Sequence, residues 1–324
     1  MSNMPDIPAI SVVISLYNKE PYIAGALNSI LNQTYQDFEV IVVDDGSTDG
    51  GMEIVKKCQD PRIRLIQQKN SGVSVARNQG IKAARSELIA FLDADDEWLP
   101  LFIETILRLR ALYPNAGLYG TAYEVHYPGT IVQKVYNKSK GERLLSSYFG
   151  ALVEFESAIF NSSSLAAPKD VLIKFGCFPL GVKWNEDGTL WGKIALQYTI
   201  AYSPEICSIY RQYTGNNSIE ITEYLENPFV QYLSTIPKNE LSKFSYFRDL
   251  MEYSDLCRLE AISRNIFSGH GARARSELRL VKAPSLSRKK YRLQVFSYVP
   301  PMVIGFIRKH AKALSYLKRK IIRE

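Results

Sequence analysis

A chain of 324 residues that is 46% hydrophobic and 23% charged has ordinary globular composition, with room for one large domain and an appendage or for two domains. It contains no apolar run of about 18 residues, so no membrane-spanning helix is expected, and the opening MSNMPDIPAI lacks the basic-then-apolar pattern of an export signal. The net charge of +7 is concentrated in the tail: residues 288–324 carry +10, leaving −3 on the other 287. A local anionic partner is expected, not a protein basic throughout.

Four scattered cysteines, Cys58, Cys177, Cys207 and Cys257, form no CxxC pair and read as reduced thiols of a cytosolic protein. With three histidines in all, His126, His270 and His310, a histidine-built metal site is not expected.

In chain order, residues 10–16 (ISVVISL) form a β-branched run suited to a buried first strand. Tyr17-Asn18 ends it, and Pro21 opens a helix with Ile23, Leu27, Ile30 and Leu31 at helical spacing. Residues 38–43 (FEVIVV) are a second strand, running into Asp44-Asp45-Gly46-Ser47-Thr48-Asp49, where Gly46 permits a tight turn and Ser47, Thr48 or Asp49 can cap the next helix. A short third strand at 62–67 and a helix-like stretch at 71–84, containing Arg77, lead to the fourth strand.

That strand, 88–92 (LIAFL), is an unbroken apolar run of the kind buried on both faces of a parallel sheet. It ends in Asp93, Asp95 and Asp96, with Ala94 between the first two. Clustered carboxylates repel one another and persist most naturally with a compensating cation. Magnesium sites typically combine one or two carboxylates with substrate phosphates, and ligands of open α/β sheets bind at the carboxyl ends of strands. A metal-bridged nucleotide diphosphate therefore suits this position; so does a plain helix N-terminus. Alternating strands and helices imply a parallel sheet with right-handed crossovers, its two acidic loops at one edge. No GxGxxG follows the first strand and no GxxxxGK[ST] occurs, which disfavours dehydrogenases and P-loop enzymes.

The runs VVISLYNKEPYIAGALNSILNQTYQDFEVIVVDDGSTDGG and NSGVSVARNQGIKAARSELIAFLDADDEWLP, spanning about residues 9–102, resemble the N-terminal half of family 2 glycosyltransferases. The resemblance implies a GT-A fold, a mostly parallel Rossmann-like sheet flanked by helices. It also implies inverting transfer of a sugar from a nucleotide diphosphate, expected to be a UDP-sugar. Carried over residue by residue, Tyr17 and Asn18 would line the base pocket and Asp44 or Asp45 would accept a hydrogen bond from uracil. Arg77 would lie near ribose and diphosphate. Asp93 would face the ribose or a metal-bound water beside Ala94, and Asp95 would hold the metal, Mn2+ or Mg2+.

Residues 101–112 have the spacing of a packed helix, and 117–125 and 131–136 read as strands about a Pro128-Gly129 turn. Residues 146–155 and 161–164 are candidates for lining an acceptor site. Glu186-Asp187 precedes a helix-like run and resembles the family's acidic pair, which implies Asp187 as catalytic base with Glu186 supporting it; an attacking hydroxyl must lose its proton to such a group. Helix capping is the structural alternative. Residues 208–218 (SIYRQYTGNNS) resemble the family's closing loop, with Tyr213 where a histidine ligand usually stands.

Beyond about residue 220 the resemblance stops. Residues 244–267 read as helix. In the tail Val303, Ile307, Ala311, Leu314, Leu317 and Ile321 form an apolar stripe beside lysines and arginines, suited to an anionic membrane surface; no nucleic-acid module accompanies them. The expected organisation is a glycosyltransferase domain at 1–220, with a donor half at about 9–102 and an acceptor half at about 103–220, and a helical region at 221–324. The expected activity is addition of one sugar to a glycan or lipid-linked acceptor at the cytoplasmic membrane face. A non-catalytic nucleotide-sugar binder and a sugar nucleotidyltransferase are the alternatives.

Overall fold

The computed structural model describes residues 7–137, 141–182, 184–212, 226–267, 270–299 and 303. The chain divides into two compact units, residues 1–219 and 220–324.

In the first unit the apolar runs form buried strands and the segments between them form helices. In order these are β1 (Ile10–Leu16), α1 (Glu20–Leu31), β2 (Phe38–Asp44), α2 (Gly51–Lys57), β3 (Ile63–Gln67), α3 (Val73–Ala83) and β4 (Leu88–Asp93). Then follow β5 (Glu97–Trp98), α4 (Phe102–Leu112), β6 (Leu118–Tyr127), β7 (Thr130–Lys134), β8 (Arg143–Leu144), α5 (Tyr148–Phe155), β9 (Leu165–Pro168), α6 (Lys169–Lys174), α7 (Glu186–Ala195) and β10 (Ile200–Arg211).

Among the described residues the strands make one sheet in the order β3-β2-β1-β4-β9-β6-β10-β5, with β7 on β6 and β8 on β10. The first four pair in parallel, as expected from their β-branched composition and helical crossovers. β9 lies antiparallel between β4 and β6, and β6 runs parallel to β10. The second half of the sheet is therefore mixed.

The mixed half is where sequence periodicity is least informative. β10 contains Pro204, which cannot donate to a sheet ladder and so argues against a strand. The structure places the interruption at an irregularity, where the register with β6 shifts between Ser203 and Ile206. Residues 208–211, read from sequence as the start of a loop, are the end of this strand.

The core lies between this sheet and its helices, with Ile14, Leu16, Ile23, Ile30, Val42, Ala90, Leu92, Phe102 and Ile106 among its buried side chains. Glu39 is a buried charge within β2, and Ser11, Arg64 and the backbone and side chain of Arg85 hydrogen-bond it. Those partners hold it ionised against the opposing effect of burial, below its ordinary value.

In the second unit α8 (Pro228–Ser234), α9 (Lys238–Leu241), α10 (Phe247–Phe267), α11 (Gly271–Leu278) and α12 (Ser287–Phe296) pack around Leu250, Leu259, Ile262, Leu278 and Leu286. Asp255 on α10 accepts from the backbone amides of Lys282 and Ala283 at 2.7 and 2.8 Å, fixing the chain between α11 and α12. No helix among the described residues is long and apolar enough to cross a membrane.

α3 approaches β1 closely because Gly80 carries no side chain; a Cβ there would sit 2.3 Å from Val13 Cγ1. Gly80→Ala is therefore expected to overpack this contact and cost about 1–3 kcal/mol, read as a lower urea midpoint with an unchanged slope.

Candidate active site

Parallel register gathers the acidic loops at one edge. Leu16 at the end of β1 pairs with Asp44 at the end of β2, and Ser15 pairs with Asp93 at the end of β4. The first two loops then interlock. Asn18, in the left-handed region at φ 51° that asparagine tolerates, accepts from the Thr48 amide at 2.8 Å and donates its own amide to Ser47. The Glu20 amide donates to Asp49, and the Gly50 amide to the Glu20 carboxylate.

Tyr17 leaves this junction 41% exposed, while Asp44 is buried and accepts from the Ser47 amide. The two neighbouring aspartates differ in their partners. Asp45 accepts from the Gln68 side chain and from the Ser71 and Gly72 amides at 2.7–2.8 Å. Both its oxygens thus hold the entry to α3.

The loop after β4 crowds its carboxylates and meets each differently. Asp95 pairs with Lys19 at 2.7 Å. Asp93 pairs with Arg77 at 2.6 Å, and the other arm of Arg77 reaches Glu186 at 2.9 Å. Arg77 is only 4% exposed and lies over the Phe178 ring, so it is no solvated helix residue. Burial opposes its charge, but Asp93, Glu186 and Asp187 together hold it more firmly protonated than an ordinary arginine. Asp96 turns inward, accepting from Ser163 Oγ at 2.5 Å and from the Arg211 amide at 2.9 Å. Ala94 is buried between these groups.

The second acidic pair stands at the start of α7. Trp191 seats that helix, its ring 6.0 Å from Phe91 of β4 and 5.5 Å from Phe178, with Phe91 and Phe178 edge to face at 5.1 Å. Such contacts add about 0.5–1.5 kcal/mol each beyond area burial. This cluster sets Glu186 against Arg77. Asp187 accepts from Ser162 Oγ at 3.1 Å and from the Gly188 amide at 2.7 Å. It therefore combines a helix-start role with a contact to the serine turn. Burial first, then the Asp187 charge, raise Glu186 above its ordinary value despite Arg77.

Lys19 is brought here without a sequence assignment, whereas the sequence places Ser162 and Ser163 only within a stretch able to line an acceptor site and Tyr210 only within the closing loop. Adjacent serine hydroxyls contact Asp187 and Asp96, so the turn at Ser162–Ser164 links the start of α7 to the loop after β4. Tyr210 lies among the acids: burial, followed by the charges of Asp96, Asp93, Asp95 and Asp187, pushes its phenol upward. The triple serine and the tyrosine at a strand end are visible in sequence, but nothing local says what they face. Tyr213 lies outside the described residues.

Asp93 and Asp95 offer hard oxygen donors at the edge where Lys19 already sits as a compensating cation. Among the described residues no group of three or more His, Cys, Asp or Glu is placed to hold a metal. These donors suit a divalent ion that takes one or two protein carboxylates and completes its shell from a ligand.

The model of glycosyl transferase family 2 matches residues 11–174. An uncharacterized glycosyltransferase of Nostoc sp. is 29% identical over 294 residues, covering 79% of this chain and 88% of that protein. An uncharacterized glycosyltransferase of Rickettsia felis is 32% identical over 251 residues, or 72% of this chain, which spans only 40% of that protein's length. Among solved structures, S. aureus TarS 1–349 in complex with UDP-GlcNAc matches with a TM-score of 0.57 at 18% identity, over 83% of this chain and 87% of that one. The mannosyltransferase PcManGT from Pyrobaculum calidifontis, in complex with GDP-Man and Mn2+, matches with a TM-score of 0.59 at 19% identity, over 96% and 87%. At such identities the structural likeness is one of fold.

Burial, then the Asp93 charge, lift Asp96 well above the ordinary aspartate value of 3.8. A carboxyl raised in the folded state favours folding fully below its unfolded value, and that contribution is lost as pH rises through the folded value. Asp96→Asn does not ionise. Wild type should therefore lose stability relative to Asp96→Asn as pH rises above the ordinary aspartate value of 3.8, measured as urea midpoints without added metal or nucleotide; parallel pH profiles would contradict this.

Proposed function

The chain belongs to family 2 of the glycosyltransferases and has their GT-A fold, and on that premise we propose that it adds a single sugar from a UDP-sugar to a hydroxyl of a glycan or lipid-linked acceptor, with inversion. The observation that carries this reading is the Arg77 bridge. One guanidinium joins Asp93, on the donor side, to Glu186 beside Asp187, at 2.6 and 2.9 Å. Two acidic pairs more than 90 positions apart in sequence are thereby joined through one side chain.

Each residue then has a role. Tyr17 stacks at the nucleobase and Asp44 accepts from it, with Asn18 shaping the pocket through its bonds to the 47–48 turn. Asp45 supports that pocket by holding the 71–72 loop. Arg77 fixes Asp93 toward the ribose. Asp95, with Asp93, would hold a divalent ion, Mn2+ or Mg2+, which when bound neutralises charge on the departing diphosphate.

The surrounding charge supports such an ion. Asp93, Asp95, Asp96, Glu186 and Asp187 crowd together, while Lys19 and Arg77 pair with three of them. Asp187 takes the proton of the acceptor hydroxyl as its oxygen forms a bond to the anomeric carbon and the bond from that carbon to the phosphate oxygen breaks. Ser162 and the Gly188 amide orient the carboxylate for that transfer. Glu186 holds the start of α7 on Arg77.

Replacing Asp187 with Asn should leave UDP affinity within about threefold and lower transfer by about 100-fold to 10,000-fold, measured as UDP release across a panel of nucleotide sugars and acceptors. Unchanged transfer would remove Asp187 as the base, and absence of turnover in wild type with UDP still bound would favour the non-catalytic binder.

The acceptor side includes a membrane surface in this proposal. The tail beyond residue 303 lies outside the described residues, but α12 exposes Tyr291, Val295 and, just past its end, Tyr298. Arg288 and Arg292 are exposed on the same helix. Interfacial aromatics beside cations suit an anionic bilayer such as the inner face of a plasma membrane. Serine at 291, 295 and 298 together should weaken partition into phosphatidylglycerol vesicles at low salt by at least about tenfold; equal sedimentation with vesicles would count against the membrane.

A further inference from the structure

Lys19 is fixed at its backbone. Its carbonyl accepts the amides of Tyr22 and Ile23 at the start of α1. Its neighbours Asn18 and Glu20 are bonded to the 47–50 loop. From this anchored point the ammonium reaches Asp95 Oδ2 at 2.7 Å, with the two side chains 11% and 14% exposed.

The contact poses a conflict for the proposed donor site, on which this inference rests. Asp95 is the carboxylate that would hold a divalent ion, and an ammonium at hydrogen-bond distance repels any cation approaching the same group. A nucleotide diphosphate removes the conflict. Its oxygens complete the metal's shell, and they offer Lys19 a new partner, since lysine binds phosphate as a compact charge on a flexible stem.

We propose that Lys19 is a resident counter-cation that occupies Asp95 in the donor-free protein and passes to the donor's diphosphate when metal and nucleotide enter together. The exchange couples the two ligands. Metal binds poorly without nucleotide because Lys19 must be displaced into water. Nucleotide binds better with metal because Lys19 is then released to the phosphates. By linkage the enhancement is the same in both directions.

The test uses the full chain with Mn2+ and UDP as probes. Mn2+ binding is read by electron paramagnetic resonance of the free ion and UDP binding by calorimetry, each alone and with the other present. Lys19→Met keeps the length and removes the charge. It should bind Mn2+ alone about tenfold more tightly than wild type, and the Mn2+–UDP coupling should fall by a similar factor, within the range usual for linked sites. Lys19→Arg keeps the charge and should retain wild-type coupling, and thermal melts of both variants report folding.

If Lys19→Met binds Mn2+ alone as wild type does, while Asp95→Asn abolishes Mn2+ binding, the exchange is wrong and the donor-site reading stands. If Asp95→Asn binds Mn2+ with UDP as tightly as wild type, the donor-site reading falls and this inference with it.

Discussion

Carboxylates gathered at one sheet edge repel one another, and much of the first unit is arranged to offset that repulsion. The parallel register of β1, β2 and β4 makes the crowding unavoidable, because it sets Asp44 opposite Leu16 and Asp93 opposite Ser15 at the same edge. Compensation is local and differs at each acid. Lys19 meets Asp95, Arg77 meets Asp93 and Glu186, and Asp96 is buried against a hydroxyl and an amide donor. In a low-dielectric cleft such pairs depend on geometry, since a partnered buried charge is tolerable and an unpartnered one is strongly destabilising.

The mixed half of the sheet supplies that geometry. β9 runs antiparallel beside β4, and the serine turn immediately before it therefore sits against the end of β4. From there Ser162 and Ser163 reach Asp187 and Asp96, while β10 brings the Arg211 amide to Asp96 and Tyr210 among the acids. Behind them the Phe91, Phe178 and Trp191 rings lock α7 to the sheet. A rigid apolar layer thus carries a polar layer whose members are few and mutually bonded, as suits a site that must position reacting groups closely.

Much of the N-terminal half of the first unit was legible because its signals are local. The strands at 10–16, 38–44 and 88–93 are apolar runs, the last two closed by acids, and α1, α3 and α4 carry apolar residues at helical spacing. The short and interrupted strands were less legible. β9 is four residues long, β10 contains a proline, and β5 and β8 are two residues each. Such strands exist through their neighbours and leave little periodicity to read. The triple serine stood out only as a stretch able to line a pocket, and the distinct partners of Asp44 and Asp45 do not follow from two identical adjacent side chains.

By itself the order of residues determined the kind of chemistry: four parallel strands, acids at the carboxyl ends of two of them, and a second acidic pair at the start of a helix. Those features follow from hydrophobic runs and breaks within a few residues of one another. Only the tertiary structure decided which charge answers which. Arg77 and Glu186 are 109 positions apart, and Lys19 and Asp95 are 76 apart. Electrostatic and hydrogen-bond partners are chosen by distances of a few ångströms in space, which sheet order and register set and separation along the chain does not.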